Sequence, residues 1–114
     1  MNAQTFALFL RAVAMVETGG DARKVGQAGE RGQFQMTPAV VASCGGYGEK
    51  EAAHYARWLE LQLVHAGVDP LPYNMALAWN AGPGAVLRSR VPMQSYEYAA
   101  RVEATLKGLM QNNQ

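Results

Sequence analysis

Apolar side chains recur at helical spacing from the start of the chain. Phe6, Phe9, Leu10 and Val13 fall on one face of a helix expected from about Ala3 to Thr18. Glu17 continues that stripe in the last turn, and Gly19-Gly20 ends the helix with residues suited to a left-handed cap. Asp21 to Gln33 breaks the pattern. It has few apolar residues and three glycines (Gly26, Gly29 and Gly32), which reads as a loop. Thr37 is a good N-cap with Pro38 at the first helical position, so a short helix is expected from Pro38 to about Ser43, stopped by Gly45-Gly46. The longest periodic run spans Glu49 to Ala66, with Ala52, Tyr55, Ala56, Leu59, Leu63 and Ala66 on one face.

Asp69-Pro70-Leu71-Pro72 makes a rigid turn, after which Pro72 to Ala81 reads as a short helix. Its apolar positions Met75, Leu77, Ala78 and Trp79 are too broadly spread for a surface helix, so burial on most sides is expected. Gly82-Pro83-Gly84 breaks it. Ala85 to Leu87 is expected to add a turn, and Arg88 to Met93 to be extended. A last helix is expected from Ser95, as N-cap, to about Met110, with Tyr98, Val102, Thr105 and Leu109 on one face and a frayed tail from Gln111 to Gln114. No stretch alternates as a strand would, and no repeat or linker interrupts the series. The fold class read from this pattern is all-α: one compact helical domain over residues 1–114 with a long glycine-rich loop.

Composition narrows the choices. Hydrophobic residues make up 49% of 114 residues, enough for a core without staples. The single Cys44 rules out an intrachain disulfide. Followed by glycines, it reads as a small hydrophobe closing a helix. A net charge of +1, with scattered Lys and Arg, argues against a nucleic-acid partner held through phosphates. No run is long enough for a membrane span. The apolar segment Phe6–Val16 carries Arg11 and runs into Glu17, so it reads as a core helix and not as an export signal. His54 and His65 are not spaced to share a metal, and no metal or cofactor is expected. A monomer is expected.

Three polar residues stand out by position. Glu17, Asn80 and Tyr98 each lie on or at the end of an apolar helix face. A carboxyl on the core side of a helix loses hydration, and the partial negative charge of the helix C-terminus further disfavours its ionised form. Such a carboxyl is suited to general acid catalysis near neutral pH. An amide ending a buried helix and a core tyrosine both need partners, so a shared cleft is expected.

The order of motifs is also familiar. Glu17-Thr18-Gly19-Gly20, then Gly32-Gln33-Phe34-Gln35-Met36-Thr37-Pro38, resembles the lytic transglycosylase and goose-type lysozyme family, where a catalytic Glu precedes a G-L-M-Q-x-x-P loop. Ala78-Trp79-Asn80-Ala81-Gly82-Pro83-Gly84-Ala85-Val86 resembles that family's A-Y-N-A-G-P-G-x-V segment, and Tyr98-Ala99-Ala100-Arg101-Val102 resembles its late Y-V-x-x-V helix. The resemblance implies a lysozyme-like helical fold acting on peptidoglycan glycan strands outside the cytoplasm. It implies Glu17 as catalytic acid and then base on the bond between N-acetylmuramic acid and N-acetylglucosamine. It implies Thr18, Gln33, Phe34, Gln35, Trp79, Asn80 and Tyr98 as substrate-cleft residues. Thr18 stands where the family has Ser, Gln33-Phe34 where it has Leu-Met, and Trp79 where it has Tyr. Glu30 matches the loop acid of goose-type lysozymes and is a second catalytic candidate, positioning water for hydrolysis. Intramolecular transfer to a 1,6-anhydro end is the leading expectation, with hydrolysis through Glu30 as the alternative and a solvated loop carboxylate paired with Arg31 or Arg23 as the plain reading of Glu30. The reading from another class is a wall-binding module that has lost activity; joint retention of Glu17, Gln35, Asn80 and Tyr98 argues against it.

Overall fold

In the computed structural model, which describes residues 1–112, the chain forms six helices: α1 (Ala3–Thr18), α2 (Pro38–Cys44), α3 (Glu49–His65), α4 (Pro72–Ala81), α5 (Pro83–Leu87) and α6 (Met93–Asn112). The described residues include no strand, only two isolated antiparallel bridges, Val25 with Arg31 and Arg31 with Met36. The radius of gyration is 13.2 Å, the value of about 13 Å that a packed chain of this length has. The fold is all-α.

Local chemistry sets the ends. Asn2 caps α1 by accepting from the Thr5 N–H, and Gly19 closes it at φ 68°, where a side chain would be strained. Thr37 caps α2 by accepting from the Val40 N–H, with Pro38 at the first position. Glu51 folds back onto the Gly48 N–H at 3.0 Å and steadies the start of α3.

One cluster of buried side chains joins the helices. Phe9, Val13, Leu59, Leu63, Met75 and Val102 are its largest fully buried members. Each contributes on the order of 1.5–3 kcal/mol by leaving water. α4 is the centre: Met75, Ala76, Leu77, Ala78 and Trp79 are consecutive and all buried. α6 packs against both α4 and α1 through Tyr98, Ala99, Val102 and Leu106.

Several expectations are corrected. Ser95 is not an N-cap, because α6 begins at Met93. Ser95 is buried in the first turn, its N–H bonded to the Pro92 carbonyl at 3.0 Å. Arg88 to Met93 is not extended throughout: Arg88 and Ser89 form a turn in which Ser89 takes φ 53°. Pro83 starts α5 two residues before Ala85, as a proline at a first helical position does. Gln111 and Asn112 continue α6, while the rest of the tail expected to fray lies outside the described residues. Ala66, expected on the core stripe, is exposed at the end of α3, and Thr105 and Leu109 are half-buried while Leu106 takes the core position.

Leu59→Ala should destabilise the protein by about 2–5 kcal/mol, whereas Met93→Ala, at a residue 75% exposed, should stay within about 0.5 kcal/mol. Urea unfolding of both variants measures the difference.

Candidate functional site

The stripe of α1 carries Glu17 to the edge of the core, and α6 meets it there. Tyr98 is buried, and its hydroxyl donates to Glu17 Oε2 at 2.9 Å across 81 residues of sequence. Burial pushes the Tyr98 phenol far above its usual range, with the Glu17 charge adding to the effect, so Tyr98 keeps its proton and remains a donor. Glu17 is half-buried. Its carboxyl pKa is raised, first by desolvation. The Tyr98 hydrogen bond works in the opposite direction, the Glu30 carboxylate raises it further, and the Arg101 guanidinium lowers it. Desolvation wins. The Tyr98 hydroxyl engages Oε2 and leaves Oε1 without a hydrogen bond from it.

The loop after α1 is tied down at several points. Thr18 Oγ1 donates to the Gln33 carbonyl at 2.9 Å and accepts from the N–H groups of Asp21 and Gly20 at 3.0 and 3.2 Å. Phe34 is 2% exposed, and its carbonyl accepts from Trp79 Nε1 at 3.4 Å. Between these anchors the backbone folds on itself: Gly26 N–H reaches the Glu30 carbonyl at 2.8 Å, and Arg31 and Met36 exchange bonds at 2.9 and 3.1 Å.

Glu30 is fixed inside this loop. Its Oε1 accepts from the Ala28 N–H at 2.8 Å. Gln35 sits at φ 51° and donates through Nε2 to the carbonyls of Gly32 and Lys24, at 2.8 and 3.3 Å. A Cβ at Gly26 would lie 2.7 Å from Gln35 Oε1 and 2.8 Å from Glu30 Oε1. A side chain there would push the ends of Glu30 and Gln35 apart.

The other expected site residues are placed as follows. Trp79 faces the core, 5.1 Å from the Tyr55 ring and 6.5 Å from Phe34 by centroids. Asn80 is exposed, and its Oδ1 accepts from Ser95 Oγ at 2.7 Å. Gln33 and Phe34 line a shallow concavity of about 630 Å³ with Leu8, Arg11, Met15 and Glu49. Glu17, Gln35, Asn80 and Tyr98 are not in that lining. Thus Glu17 and Tyr98 are in direct contact and the Glu30 charge is felt at Glu17, while Gln35 bonds within its own loop, Trp79 serves the core and Asn80 pairs with α6. Among the described residues, no group of three His, Cys, Asp or Glu side chains is placed to hold a metal.

Arg101, whose charge acts on Glu17, Gly26 and Ser95, the partner of Asn80, are not among the expected residues. Ser95 and Arg101 lie three residues to either side of Tyr98, so helical spacing alone puts them near its face. Gly26 carries no comparable signal, since its role depends on how the loop closes. Comparison with protein-family models, characterised proteins and solved structures finds no match for the chain.

Two predictions follow the electrostatics. Carbon-detected NMR titration should show the Glu17 pKa rising further in Tyr98→Phe and Arg101→Gln and falling in Glu30→Gln. A Tyr98→Phe variant with a lower Glu17 pKa would contradict the assigned balance. Because the folded-state pKa of Glu17 lies above its unfolded value, its protonated form favours the fold. That stability is fully present below about pH 4 and is lost as pH rises through the folded pKa. Glu17→Gln should therefore melt at or above the wild-type temperature at pH 7, with the gap closing toward pH 4 in thermal scans.

Proposed function

We propose that the protein is a peptidoglycan-cleaving muramidase akin to lytic transglycosylases and goose-type lysozymes, acting outside the cytoplasm. Its motifs carry the resemblance, and one observation supports the chemistry: Glu17 is a desolvated carboxyl oriented by a hydroxyl that stays protonated. A raised pKa keeps the acid form available toward neutral pH.

In this reading the Glu17 carboxyl delivers its proton to the oxygen joining N-acetylmuramic acid to N-acetylglucosamine. The bond from that oxygen to muramic C1 breaks, its electron pair stays with the leaving oxygen, and positive charge develops at C1 and the ring oxygen. Glu17, now a carboxylate, takes the proton of the muramic 6-hydroxyl as that oxygen bonds to C1. The product is a 1,6-anhydro end. Tyr98 stabilises the carboxylate between the two proton transfers.

Hydrolysis is the second reading, and the placement of Glu30 favours it. The Ala28 N–H fixes one of its carboxylate oxygens, and its charge is felt at Glu17. A second carboxylate so held is suited to orient water toward C1. An inactive wall-binding module is the reading from another class. Glu17 weighs against it, because binding alone gains nothing from a carboxyl whose ionised form opposes folding.

Purified sacculi digested with wild type and Glu17→Gln test all three, with products resolved by mass. Anhydro ends support transfer, reducing ends support hydrolysis, and Glu17→Gln should lose at least about a hundredfold in rate, the low end for a general acid. Intact sacculi, or equal digestion by the variant, would overturn the enzyme reading.

A further inference from the structure

A second concavity, of about 390 Å³, lies between α2, α3 and α5, lined in part by Val40, Ser43, His54, Tyr55, Trp58 and Pro83. The mechanism above uses none of these residues. Its floor is an aromatic stack: Tyr55 and Trp58 lie 5.9 Å apart by centroids at 18°. Trp58 is nevertheless 45% exposed, so one face rests on Tyr55 and the other is open. His54 lies one helical turn before Trp58 on the same face of α3.

The lining chemistry is selective. It carries no carboxylate, guanidinium or ammonium group, which disfavours an anionic or cationic ligand. It offers a flat apolar ring beside a hydroxyl and an imidazole, both able to donate and accept. A pyranose ring has the matching surfaces, with an apolar C–H face for the ring and hydroxyl or acetamido groups for the edge. The volume lies within the range of small-molecule sites, about 300–1,000 Å³. The concavity also shares its scaffold with the loop that follows α1. Pro83 belongs to the Asn80–Gly84 motif, and Tyr55 packs on Trp79, which holds the Phe34 carbonyl.

We infer that this concavity is a subsite for a neutral N-acetylhexosamine unit of a glycan strand, with Trp58 as its stacking platform. The inference rests on the peptidoglycan reading for the identity of the strand, and the sugar chemistry comes from the lining itself.

The test uses nitrogen-15-labelled Glu17→Gln protein titrated with the β-1,4-linked tetramer of N-acetylglucosamine. The chain has two tryptophans, so two indole N–H signals separate the concavity (Trp58) from the core (Trp79). The Trp58 signal should move saturably. Adding Trp58→Ala should weaken binding about tenfold, as loss of one stacked ring does, with Trp58→Phe intermediate and the helical circular-dichroism spectrum of both variants retained. A tetramer that binds without moving the Trp58 signal, or binds Trp58→Ala equally well, overturns the subsite and leaves the cleavage reading intact; absence of binding overturns the subsite too. Saturable binding at Trp58 by a protein whose wild type leaves sacculi intact upholds the subsite and sinks the cleavage reading alone.

Discussion

The site depends on one contact, the hydrogen bond from Tyr98 to Glu17. It closes the end of α1 against the start of α6 and fixes both groups in one geometry. Two opposed magnitudes meet there. A hydrogen bond to a charged group is worth about 1.5–3 kcal/mol, and desolvating an ionised carboxyl costs at least as much unless it is paired. The raised pKa of Glu17 says which wins. Had an arginine stood at Tyr98, the pair would be an ion pair and Glu17 an ordinary low-pKa carboxylate. A phenol steadies the carboxylate without holding it permanently ionised.

The loop supplies the second constraint. Thr18 spends its hydroxyl on three loop groups, so the turn that ends α1 also dictates where the loop begins. Trp79 anchors the other end through the Phe34 carbonyl. Glu30 and Gln35 are thereby set by short-range bonds and by the missing side chain of Gly26, not by their own length and flexibility. Their side chains converge because backbone geometry leaves them little else to do.

Helix positions were legible from periodicity and punctuation because each end has a local cause: Gly19, Thr37-Pro38, Gly45, Pro72 and Gly82 act within a few residues. Glu17 and Tyr98 were legible as oddities, a carboxyl and a phenol on apolar stripes. What escaped was long-range. Ser95 looked like a cap because serine before an acidic first turn usually is one. Its hydroxyl instead meets Asn80, fifteen residues away in sequence, and α6 starts earlier. Trp79 matched a motif position read as core or as a sugar-facing ring; only the packing of α3 on α4 shows that its ring faces Tyr55. The loop's two bridges had no alternating pattern to announce them, since each joins single residues.

Local rules are broken in few places, and the places are informative. Glu17 lies at the helix end that repels a carboxylate, Gln35 holds φ 51°, and Trp58 leaves an indole face in water. A chain selected for stability alone would remove each: Gln at Glu17, Gly at Gln35, a polar residue at Trp58. Ser89 at φ 53° is a further exception, and no contact in the structure explains it. Of the other three, two fall within the segment from Glu17 to Pro38 that Thr18 and Trp79 pin in place. The third lies across Tyr55 from Trp79, and so joins the same scaffold. The three departures thus share one set of packed elements, with Thr18 and Trp79 holding the loop and Tyr55 joining Trp79 to Trp58.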